Sequence, residues 1–184
     1  MSHDRYGLGA KANQTPIFST HEHHREDEFH AGLNLDRLFL NSYVNWCSRP
    51  LSSSPEDRRN WLDSIRTNSY FVWLEKSLMD LYGCGPITED NWDEVSASIA
   101  DAHRDPGHHL RILKEKAGYV RFIEDSYWDP GSDLSHPEIA VSAYRMDCWL
   151  TGFHPDNLDH DGRNPRQFTK TELPDLEAYE AGIR

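Results

Sequence analysis

Three short stretches of this chain have strand character, and helical patterns fill most of residues 21–118 between the first and the second. The stretches are Ile17 to Thr20, Tyr119-Val120-Arg121-Phe122-Ile123 and Ile139-Ala140-Val141-Ser142-Ala143-Tyr144, rich in β-branched and aromatic residues. Neighbouring parallel strands are usually joined by one helix with loops of about 2–6 residues. A large helical insertion behind the first strand, over about 31–118, is therefore the economical organisation.

Punctuation inside the insertion supports separate helices. Leu33, Leu35, Leu38, Phe39, Leu40, Tyr43, Val44 and Trp46 make an apolar helical patch that Arg49-Pro50 stops. Ser54-Pro55-Glu56-Asp57 reads as a helix start: an N-cap hydroxyl, a proline at the first position and an acid three residues after the serine. The pattern runs to Leu81-Tyr82, with a break near Thr67-Asn68-Ser69 and a left-handed stop at Gly83. Thr88 opens a further helix with Trp92, Val95 and Ile99 as its core stripe, ended by Asp105-Pro106-Gly107. A short helix carrying Leu110, Ile112 and Leu113 precedes Gly118, and a last amphipathic helix spans Leu173 to Ile183. Residues 1–14 lack periodicity and read as a flexible N-terminal arm. The tryptophans fall mostly on apolar helical faces, where core packing accounts for them.

Composition removes several function classes. With 31 acidic against 19 basic residues and a net charge of -12, the chain has no basic stripe for a phosphate backbone, so no nucleic-acid partner is expected. No stretch approaches the roughly 20 apolar residues of a membrane span, and the start lacks a secretory pattern, so the chain reads as cytoplasmic, with no membrane partner. Cys47, Cys84 and Cys148 are far apart and include no Cys-x-x-Cys pair, which points to buried free thiols. There is no Gly-x-Ser-x-Gly elbow, phosphate loop or dinucleotide glycine pattern.

What remains for chemistry is His21-Glu22-His23, directly after the first strand. Residues two apart in a strand share a face, so both imidazoles project side by side from the strand end, where α/β proteins place their sites. Such a pair suits a divalent metal, zinc above all, which takes neutral imidazole nitrogen at about 2.0–2.1 Å. The polar run through His30 is equally compatible with a solvated loop.

The strand-end His21-x-His23, the insertion behind it, and Tyr70 to Gly83 followed by Ile87-Thr88 and Asn91-Trp92 together resemble the amidohydrolase superfamily, within it the uronate isomerase branch. The likeness covers about residues 15–165. It implies an α/β fold of (β/α)8 TIM-barrel type, with His21 and His23 as ligands of a divalent metal, and a small-molecule substrate such as a sugar acid. The activity implied is either metal-dependent hydrolysis or sugar-acid isomerisation. Family members complete the centre with later histidines and an aspartate after the eighth strand. A full barrel takes about 250 residues, so residues 15–184 are expected to be an incomplete barrel, the N-terminal part of such an enzyme, inactive alone.

Three further residues are substrate-binding candidates: Asp125 just past the second strand, Arg145 just past the third, and Arg25 just after the histidine motif. Asp125 would hold a substrate hydroxyl or orient a histidine, while either arginine would clamp a carboxylate. Salt-bridge or turn roles compete for each. His24 should face away from the pair, and the segment from His154 to His160 reads as a solvated turn, since it lacks calcium-loop spacing. The competing functional reading is a non-catalytic remnant or interaction module that self-associates as a homo-oligomer through open sheet edges. A small helical binding domain is a third.

Overall fold

The computed structural model describes residues 8–47, 50–125, 134, 136–143, 146–159, 162–167, 169 and 172–183. In chain order the elements are α1 (Leu8–Gln14), β1 (Ile17–Glu22), α2 (Asp27–Ala31), α3 (Leu35–Leu40), a 3-10 turn (Tyr43–Cys47), α4 (Pro55–Ile65), α5 (Ser69–Tyr82) and α6 (Trp92–Ala102). There follow α7 (His108–Arg111) running into a π-turn (Ile112–Lys116), β2 (Tyr119–Glu124), β3 (Ala140–Ser142), α8 (Asp147–Thr151), a 3-10 turn (Pro165–Gln167) and α9 (Leu176–Ile183). The protein is of mixed α/β class and divides into two compact units, Met1–His24 with Ala117–Arg184, and Arg25–Lys116. The helical insertion thus begins before residue 31, because α2 already belongs to it.

The helical unit has its own core. Leu35, Phe39, Trp61, Leu62, Ile65, Phe71, Ile87, Trp92 and Ile99 are almost wholly buried in one cluster. Phe39 sits at its centre, with ring centroids 4.9 Å from Trp61, 5.4 Å from Trp92 and 6.0 Å from Phe71. Each such pair adds about 0.5–1.5 kcal/mol beyond the area it buries. Two polar devices fix the helices. The Ser54 hydroxyl accepts from Asp57 N at 3.1 Å, and Asn68 Oδ1 accepts from Tyr70 N at 2.8 Å, so the break between α4 and α5 is a true cap. Gly83 closes α5 at φ 65°, a left-handed conformation that a side chain would strain. Glu75 then ties α5 to the next loop, its Oε1 accepting from Ile87 N at 2.8 Å and from Arg66 NH1 at 3.0 Å.

Several boundaries differ from expectation for local reasons. The apolar patch at 33–46 is two pieces, α3 and a 3-10 turn, and α3 begins only after Asn34, whose side chain caps Arg37 N at 2.8 Å. Thr88 closes a turn before α6 instead of capping the helix: Asn91 N donates to its hydroxyl at 3.2 Å and Thr88 N to Asn91 Oδ1 at 2.8 Å. Leu8–Gln14 of the expected arm are helical, with exposed side chains from Gly9 on. The final helix starts at Leu176 because Pro174 disfavours helix before it and Asp175 caps Ala178 N at 2.9 Å. Trp46 and Trp73 are not core residues, being 73% and 66% exposed. Cys84 is half-buried and Cys148 buried, both as free thiols whose pKa burial pushes up.

The other unit is built on a parallel three-stranded sheet in the order β1-β2-β3. Tyr144 and Arg145 lie outside the described residues, so the third strand is seen only from Ala140 to Ser142. Cys148, Trp149, Leu173 and Tyr179 form a small core between α8 and α9. Asn164, almost fully buried, donates through Nδ2 to the carbonyls of Gly152 (3.0 Å), His154 (3.1 Å) and Asn157 (2.8 Å), which shapes the 152–164 loop.

Four histidines of the helical unit meet around α6 and α7. His30 and His109 stack at 4.0 Å with planes 6° apart, His103 lies 4.8 Å from His108, and Tyr82 OH is 3.3 Å from His103 Nε2. Asp27 Oδ1 is 3.3 Å from His109 Nε2, joining α2 to α7. Burial first, then His108 and His109, hold the His103 pKa down at about 4. The unfolded chain takes up that proton near 6.5, so its folding contribution should fall as pH drops from about 6.5 to 4. Denaturant unfolding across this range should show the loss, and His103→Gln should flatten it. Separately, Asn164→Ala should cost about 1–3 kcal/mol by stranding buried carbonyls, measurable by thermal unfolding.

Candidate metal centre

Parallel pairing brings the end of β1 against the end of β2. Ser19 pairs with Phe122 and Glu22 with Glu124, so β1 carries an extra residue between these partners. Such a bulge bends a strand and re-aims its side chains. Beyond it, Asp125 N donates to the Glu22 carbonyl at 2.8 Å, extending the ladder one residue past the end of β2.

At this rim the two imidazoles converge. His21 Nε2 and His23 Nε2 are 3.0 Å apart, with the rings nearly perpendicular at 87°. The second nitrogen of His23, Nδ1, is 2.6 Å from the main-chain carbonyl of Asp125. A carbonyl only accepts, so Nδ1 carries the hydrogen and Nε2 of neutral His23 presents its lone pair. His21 Nε2 then donates the hydrogen between the rings. The Asp125 carboxylate completes the group, Oδ2 lying 3.6 Å from His21 Nδ1. The His21 side chain is 57% exposed and that of Asp125 only 9%, so the cluster opens to solvent on one side.

The residues fit a divalent cation. One donor atom from each of His21, His23 and Asp125 lies within 4.8 Å of the others. Two nitrogens bound at about 2.0–2.1 Å in a tetrahedron stand about 3.3 Å apart, close to the observed 3.0 Å. The His23 Nδ1 bond also sets ring and tautomer as ligating histidines require. A cation in place of the hydrogen between the rings would meet both Nε2 atoms, with the Asp125 carboxylate beside His21 as a third donor in reach.

The remaining candidates fare differently. Asp125 joins the histidine pair, both as carboxylate and as the carbonyl that orients His23. Arg25 belongs to the helical unit, with its guanidinium 5.2 Å over the Phe29 ring. Arg145 lies outside the described residues, as does His160. His24 turns from the pair and packs its ring 5.4 Å from Phe122. Sequence reading missed two further carboxylates near the strand ends. Glu22 Oε1 accepts from Ser19 Oγ at 2.7 Å and from Tyr119 OH at 2.8 Å, and Glu124 accepts from His24 N. Their only signal was an acid among strand-end residues.

Burial, and next the Glu22 carboxylate that its hydroxyl donates to, raise the Tyr119 pKa to about 12. The ultraviolet difference titration between the wild type and Tyr119→Phe should place this phenol near 12, and Glu22→Gln should lower it. No protein-family model matches this chain, and no match is found among curated proteins or solved structures.

Proposed function

We propose that the sheet unit is a divalent-cation site of catalytic type, with His21, His23 and Asp125 as the protein ligands and zinc as the preferred cation. The observation that carries this is the pair of Nε2 atoms 3.0 Å apart at the carboxyl end of a parallel sheet, beside the Asp125 carboxylate. Nitrogen and carboxylate donors with an open side suit zinc and its neighbours. When bound, the cation supplies Lewis acidity, which polarises a carbonyl oxygen or acidifies a water. His23, fixed through Nδ1, orients the site, and Asp125 supplies the negative charge nearest it.

The wider reading is an amidohydrolase-like hydrolase, or a uronate-isomerase-like enzyme on a sugar acid, of which this chain is the N-terminal portion of an incomplete TIM-barrel-like fold. Its support is the strand-end His-x-His together with the parallel order and the helical insertion behind β1. With three ligands and three strands among the described residues, turnover by this chain alone should be weak. Calorimetric titration should give one zinc per chain. His21→Ala and His23→Ala should each weaken binding at least about tenfold, and acidification should weaken it because ligating imidazole must be deprotonated. Absence of stoichiometric zinc would overturn the reading, and rapid hydrolysis of simple esters or lactones would overturn the expected dependence on further strands.

A non-catalytic module that self-associates through its sheet is the second reading. It is favoured by β1, which among the described residues pairs only with β2 and exposes Phe18 at 54%. Light scattering over a concentration series would then show dimers that Phe18→Lys dissociates, whereas a monomer at all concentrations would dismiss it.

A further inference from the structure

We infer that Glu124 is the positioning residue for His23, setting the imidazole before any cation arrives. This rests on the reading that His23 is a ligand. Glu124 ends the central strand β2, and its side chain is 1% exposed. A carboxylate buried so fully is tolerated only when hydrogen bonds or charge partners replace its water. Its Oε2 accepts from the main-chain N–H of His24 at 2.6 Å. That N–H belongs to the peptide immediately after His23, so the bond fixes the direction in which the His23 backbone leaves β1.

The geometry makes Glu124 one half of a clamp. Its neighbour Asp125 accepts from His23 Nδ1 at 2.6 Å and donates its own N–H to Glu22 at 2.8 Å. Consecutive residues of one strand end therefore hold the histidine before it, at its ring and after it. The clamp is itself anchored, because Ala143 N donates to the Glu124 carbonyl at 2.7 Å from the β3 side. Without the Glu124 carboxylate, the His23–His24 peptide could rotate, and the ring would lose its alignment with both the Asp125 carbonyl and His21 Nε2.

The discriminating set is Glu124→Ala, Glu124→Asp and Glu124→Gln in the whole chain, read by zinc affinity and by ¹⁵N spectra of the His23 tautomer without metal. Glutamine keeps an oxygen for the same amide and should behave as wild type. Aspartate is one methylene short and alanine has no acceptor, so both should weaken zinc by about 10–100-fold and mix the His23 tautomers. Wild-type values in Ala and Asp would overturn the inference, as would a Gln variant damaged like Ala, since negative charge would then be the operative property. If Ala does not fold, the opposed expectations for Gln and Asp decide. If the wild type takes up no zinc, the metal reading fails while the tautomer spectra still judge the clamp.

Discussion

Pairing between β1 and β2 is the constraint on which the rest depends. Among the described residues β1 has no other strand neighbour, so its direction, its bulge and the aim of His21 and His23 are all set by residues about a hundred positions later. Parallel pairs need a crossover, and here the crossover has grown into a unit with a hydrophobic core of its own. The sheet therefore supplies placement, while most of the apolar burial lies in the helices.

The rim works by main-chain chemistry as much as by side chains. The carbonyl of Asp125 orients one imidazole, the N–H of Asp125 seals the ladder, and the N–H of His24 meets a carboxylate. Two sets of contacts lie side by side at this rim. His21 and His23 converge with Asp125, while Glu22 is bound to the Ser19 and Tyr119 hydroxyls.

Much of the local structure was legible from residues alone. Ser54, Asn68 and Gly83 mark the ends they occupy because capping is a contest among nearest neighbours, and the three strands appear where β-branched and aromatic residues gather. Exposure was less legible. Trp73 lies two residues from buried Phe71 and five from buried Leu78, off the helix face those two share, so its apolar ring overstates its burial. At the site, the histidine pair was visible because both residues lie within three positions. The role of Glu124 and the carbonyl of Asp125 arises only when distant strands pair, and the meeting of His30, His103, His108 and His109 arises only when α2, α6 and α7 pack. The break after α3 reflects Asn41, whose N–H and Nδ2 both donate to the Arg37 carbonyl, and the 3-10 turn that follows, hydrogen bonds that a hydrophobic count does not register.

The stacked His30 and His109, with Asp27 reaching the same ring, lie near opposite termini of the helical unit. That staple gives the crossover a short tether. Measured along the chain, closing β1 onto β2 encloses the whole insertion; measured through the staple, only a dozen or so residues remain free. Three halvings of a loop recover about 2 kcal/mol of closure entropy. An insert whose termini emerge together can be lengthened or shortened internally without disturbing the strands it interrupts, which makes it a cassette on which variation can act independently of the histidine rim.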